Sequence, residues 1–171
     1  MTILETSWVQ GNDREIEELV RLVNEAIALE LNASRLYALF QDLFPDDGEF
    51  WQTLSIEEEN HANLLRNGRR LFLPEGRFPR ELLPESLEPL VEKNRELETL
   101  FDRYEQTPPS REEAFRTALV LEESAGELHF QRAMESRAPS WTLKVFQTLN
   151  NDDRDHANRL RDYMAAKGIA E

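Results

Sequence analysis

The stretch EEENHANLLR, residues 57–66, returns nearly unchanged as DDRDHANRLR at residues 152–161. Each copy sets an acid three residues before a histidine, Glu58 before His61 and Asp153 before His156, and each continues Ala-Asn. Each also follows Gln-Thr-Leu, at 52–54 and at 147–149. The chain has only three histidines, so two of them in one repeated setting ask for a cause.

Three residues make nearly one helical turn, so the acid and its histidine share a helix face. Working outward from them, Trp51, Leu54, Glu58, His61 and Leu65 step by three or four and form one stripe. The second copy gives Phe146, Leu149, Asp153, His156 and Leu160. The ionisable pair therefore sits inside an apolar stripe in both copies, not on a wet face. The repeat extends to two further segments. A shift of 92 residues sets ALELNASRLY (28–37) on VLEESAGELH (120–129), with Glu30 on Glu122, Ala33 on Ala125 and Leu36 on Leu128. The stripes there are Val23, Ala26, Glu30, Ala33, Tyr37 and Phe115, Ala118, Glu122, Ala125, His129. Four segments each carry one acid on the apolar side. Glu123 takes the place of Glu122 if the register slips by one, and Glu25 and Glu127 read as solvated-face residues.

Breaks fall at FPDDGE (44–49), PEGRFPRELLPE (74–85), TPPS (107–110) and RAPS (137–140). Between them the apolar spacing predicts helices over about 13–43, 47–73, 86–106, 110–136 and 140–167. Ser110 with Glu113 forms a capping box, Ser140 can cap the last helix and Gly168 can end it. Short connections within 13–73 and 110–167 imply two antiparallel hairpins. The long connection between them, carrying the 86–106 helix, can travel the length of a helix, about 40 Å for 27 residues. The expected fold is all-α: a four-helix bundle of two similar hairpins joined by a long crossover, as one domain over residues 1–171.

Composition removes several functions. With no cysteine, disulfides, cysteine-ligated zinc, iron–sulfur clusters and thiol catalysis are excluded. The opening MTILETSWVQ lacks a signal-peptide pattern, and no apolar run approaches the roughly 20 residues of a membrane span, so a soluble cytoplasmic protein is expected. A net charge of −14 argues against a nucleic-acid partner. Most of the 34 acids read as a solvated helical surface. The four inward acids do not. Buried carboxylates are costly unless paired or metal-bound, and four that converge cannot all stay ionised. No Lys or Arg stands in the inward stripes, whereas two divalent cations would cancel four carboxylate charges. Oxygen-rich ligation with one imidazole per metal suits iron or manganese.

These residues resemble the ferritin-like superfamily, and within it the rubrerythrin-like proteins, over about residues 20–165. The family pattern of Glu followed by Glu-x-x-His, given twice, falls on Glu30, Glu58, His61, Glu122, Asp153 and His156. Tyr37 matches a tyrosine of that family next to its metal ligands, and His129 occupies the corresponding place in the repeat. The resemblance implies a ferritin-like bundle holding two iron ions, with manganese or a mixed pair as alternatives, that react with peroxide or oxygen. This chain departs from the pattern in three ways. Position 153 is Asp, not Glu. A further family glutamate is replaced by Ala125. The cysteine-ligated rubredoxin domain is absent, so an external electron donor is expected. The competing expectations are an iron-handling protein with Fe(II) as substrate and a metal-stabilised structural module without turnover. Homodimers or larger assemblies are expected from the apolar, amphipathic helices.

Overall fold

The computed structural model describes residues 4–137, 140–150 and 155–170, with side chains from residue 13 onward except those of residues 125 and 126. Its described residues form seven α-helices and no strand. They are α1 (Leu4–Leu43), α2 (Gly48–Phe72), α3 (Glu88–Gln106), α4 (Arg111–Glu122), α5 (Ala125–Glu135), α6 (Trp141–Leu149) and α7 (His156–Lys167). The first three follow the periodicity of the sequence, although α1 begins well before residue 13.

A short 3₁₀ turn, Pro45–Asp47, reverses the chain between α1 and α2. The two helices run antiparallel. Ser34 faces Ser55, donating to its carbonyl at 2.8 Å, and Arg69 reaches back to Asn24. The buried positions of α1 (22, 23, 26, 27, 29, 30, 33, 36, 37 and 40) spread over more than one stripe. A helix flanked on two sides needs this width. The second flank is α3, which crosses over α1. Asn94 of α3 donates to the Glu25 carboxylate at 2.8 Å and to its carbonyl at 2.9 Å, and accepts from Asn32 at 3.1 Å. Glu25 is thus half-buried beneath α3 and not on a solvated face.

The expected third and fourth helices are each interrupted. Between α4 and α5, Ser124 is extended (φ −70°, ψ 159°), and its amide bonds the carbonyl of Leu121 at 2.8 Å. Between α6 and α7, Asp155 lies in the left-handed region (φ 58°), which a short polar side chain tolerates. Its carboxylate caps α7 by accepting the Asn158 amide at 3.2 Å. Continuous helices over 110–136 and 140–167 are therefore corrected to helix pairs. Ser110 and Ser140 do cap α4 and α6, and Gly168 does end α7.

Aromatic rings fill the core on one side of the acids. Trp51 packs against Phe115 (4.4 Å between centroids), Phe40 (5.0 Å) and Tyr37 (5.8 Å), and Tyr163 of α7 stacks on Phe50 at 4.0 Å. Asp47 ties this end together. It accepts two hydrogen bonds from Arg111 at 2.7 Å each and one from Tyr163 at 2.9 Å. Arg111 holds the Asp47 carboxyl below the usual carboxylate range.

Candidate metal centre

Four helix segments deliver the acids and histidines to one buried place. Glu30 comes from the middle of α1, Glu58 and His61 from consecutive turns of α2, Glu122 from the last residue of α4 and His156 from the first of α7. All five are buried. They form two groups that share Glu58: Glu30, Glu58 and His61, and Glu58, Glu122 and His156. The ligand atoms within each group lie within 4.8 Å of one another.

The geometry makes Glu58 the shared member. Its Oε2 is 2.9 Å from His61 Nδ1, and its Oε1 is 2.7 Å from His156 Nδ1. Each histidine also has a carboxylate of its own. His61 Nδ1 lies 3.4 Å from Glu30 Oε2, and His156 Nδ1 lies 3.4 Å from Glu122 Oε2. The imidazole planes stack at 5.5 Å. Both rings present Nδ1 to the Glu58 carboxylate.

Tyr37, fully buried on α1, donates to Glu122 Oε1 at 2.5 Å, and Gln131 donates to the other oxygen at 3.3 Å. Glu122 is therefore the inward residue, and neighbouring Glu123 points out to Arg161. His129 is half-buried on α5 and belongs to neither group. The break before α5 is the reason. Residues beyond it lose the phase of α4, so the stripe ending at His129 is not continued. Glu127, Phe130, Ala133 and Met134 turn inward instead.

Glu127 is consequently a site residue that its sequence position concealed. Expected on the surface, it is 1 % exposed, and its Oε1 has no hydrogen-bond partner. Burial drives its carboxyl well above the usual range, helped by the charges of Glu30, Glu58 and Glu122. On an unbroken helix a residue five positions after Glu122 points away from it. The available signal was Ser124-Ala-Gly-Glu127, the same capping pattern as Ser110 and Glu113. Asp153 and the neighbouring 151, 152 and 154 lie outside the described residues.

The electrostatics are those of a site with surplus negative charge. Burial pushes Glu30 up to about 8 against the lowering pull of His61. Burial also raises Glu122. Burial, then the Glu122 and Glu58 charges, raise the Tyr37 phenol. Glu58 goes the other way: burial would raise it, but His156 and His61 together hold it well below the usual range. The low-dielectric pocket thus keeps one carboxylate ionised between two imidazoles and resists ionising the others. Carboxylates and imidazoles are a donor set for divalent metal ions, and Glu127, outside both groups, leaves one more buried oxygen without a partner near them.

Beside the histidines lies a small cavity, lined in part by His61, Phe130, Gln131, Met134, Asn150 and His156. It has room for about one water-sized molecule, about 10 Å³. No helix among the described residues is long and apolar enough to cross a membrane. No family model, no curated protein and no solved structure matches this chain. Its own geometry gives an all-helical chain with two buried Glu/Glu/His groups able to take metal ions.

Proposed function

We propose that the chain is a non-haem di-iron carboxylate protein of the rubrerythrin-like, ferritin-like type that reduces peroxide or oxygen. The observation that carries this is Glu58, with one oxygen toward each histidine at 2.9 and 2.7 Å in a pocket that holds three more buried carboxylates. Glu30, Glu58 and His61 would hold one ion, and Glu58, Glu122 and His156 the other. Glu127 adds a free oxygen to the same pocket. When bound, the iron pair supplies two electrons to a small oxidant.

The protein's own part is to hold, shield and move protons. Tyr37 fixes the direction of Glu122 by donating at 2.5 Å, and burial beside the carboxylates keeps the proton on its hydroxyl. Trp51, Phe115 and Phe130 keep water from the carboxylates. The small cavity against both histidines, with room for about one water-sized molecule, gives the pair a neighbouring space on the Phe130 and Met134 side.

A second reading, with Fe(II) as the substrate, is favoured by the net charge of −14, which draws cations toward the protein. Metal analysis of protein purified without oxygen, followed by mixing with peroxide, separates these readings. Steady turnover of peroxide with an added reductant is expected. Fe(II) oxidation continuing beyond the two ions that the groups can hold would favour the second reading. Bound metal that reacts with neither peroxide nor oxygen would point to a structural role.

A further inference from the structure

Glu57 precedes the shared Glu58 and belongs to neither ligand group. Successive helical residues point about 100° apart, so Glu57 cannot face the carboxylates that Glu58 faces. It turns toward α7, where its Oε2 lies 3.1 Å from Nε2 of His156. The other nitrogen of that ring, Nδ1, lies 2.7 Å from Glu58 and 3.4 Å from Glu122. Arg159 of α7 donates to the same Glu57 oxygen at 2.6 Å. Glu57 is mostly covered, with a side chain 17 % exposed. The His156 ring is therefore gripped on both edges, with Glu58 and Glu122 on one side and Glu57 on the other.

An imidazole that ligates through one nitrogen must carry its proton on the other, and an acceptor for that proton sets both tautomer and ring orientation. We propose that Glu57 is a positioning residue for the second ligand group. It accepts the Nε2 proton of His156, so that a bare Nδ1 faces Glu58 and Glu122, and Arg159 anchors the accepting oxygen. The proposal rests on the metal reading above. The repeat supports it in sequence, since the position matching Glu57 is Asp152, again an acid directly before the motif acid.

Zinc serves as a diamagnetic probe. The unaltered protein, Glu57→Ala and Glu57→Gln are titrated with Zn(II) against a chromophoric chelator. The imidazole N–H resonances of the zinc-loaded proteins are then recorded, after circular dichroism has established that each variant is folded. Glu57→Ala is expected to weaken one site by about 10–100-fold and to expose the His156 Nε2 proton to rapid exchange. The His61 resonances should stay in place. Glu57→Gln still offers an oxygen to that proton, so it should keep the resonance and lose less affinity than Glu57→Ala. Unchanged affinity in Glu57→Ala, or equal losses in both variants, would overturn the positioning role while leaving the metal reading intact. No zinc uptake by the unaltered protein would overturn the metal reading and this role with it. Should Glu57→Ala not fold, Arg159→Ala replaces it: the freed anchor should loosen the same site and speed exchange of the same proton, and unchanged behaviour overturns the proposal.

Discussion

Glu127 is the residue at which the metal reading can be separated from ordinary packing. Its carboxyl is buried with an oxygen that no described group satisfies, and its neighbours are other carboxylates. Without metal, the fold must hold this group protonated or bear an unpaired charge, and both cost free energy. Glu127→Gln removes that cost and keeps the shape. The metal-free variant should be more stable than the unaltered protein, by on the order of 1–3 kcal/mol. Its metal affinity should fall, because an amide oxygen is a poorer ligand than a carboxylate. Paired chemical denaturation and metal titrations check this, and lower metal-free stability would mean that Glu127 is merely a packed core residue. Tyr37 predicts the opposite pattern. Tyr37→Phe strips a donor from buried Glu122 and should cost about 1–3 kcal/mol of stability while both ions still bind.

At the scale of the elements, α2 shows how closely α6 approaches. Gly68 is buried on α2, and a Cβ there would overlap the Phe146 ring. Gly68→Ala gains about 1 kcal/mol of helix propensity but must displace a buried ring that also packs on Phe72 and Phe78. A net loss of about 1–2 kcal/mol is expected in denaturant titration, and a stabilised variant would show that α6 yields easily. This contact was not legible in the sequence, because periodicity locates the buried face of a helix and not the distance to its neighbour. The helix segments and the inward phase of Glu30, Glu58, His61, Glu122 and His156 were legible, since each stands in an apolar stripe. The breaks were missed for a physical reason. Ser124-Ala-Gly and Asn150 are weak breakers inside long apolar repeats, and a repeat copied from α1 and α2 argues for continuity across them. Misreading one break moved Glu127 out of the site and His129 into it. Glu57 was missed because an acid beside the stripe looks like a solvated one until α7 is packed over it.

The whole molecule carries the site's electrostatics as a pH dependence of folding. Glu30 has a carboxyl raised from 4.5 to about 8, so the metal-free fold holds a proton there that the unfolded chain releases. A group raised in the folded state makes stability fall as pH rises from its unfolded value through its folded one, here from about 4.5 to about 8. Glu122 and Glu127 shift in the same direction. Glu58 is lowered, so its contribution is present above its ordinary value and is lost only as pH falls through the lower folded one, outside that window. The thermal midpoint of metal-free protein should therefore decline as pH rises from about 4.5 to about 8, and Glu30→Gln should flatten the decline. Bound metal replaces the protons, so affinity should climb over the same range and the gap between loaded and stripped midpoints should widen. Parallel midpoints for the two forms across that range would show that the buried carboxylates hold no ion.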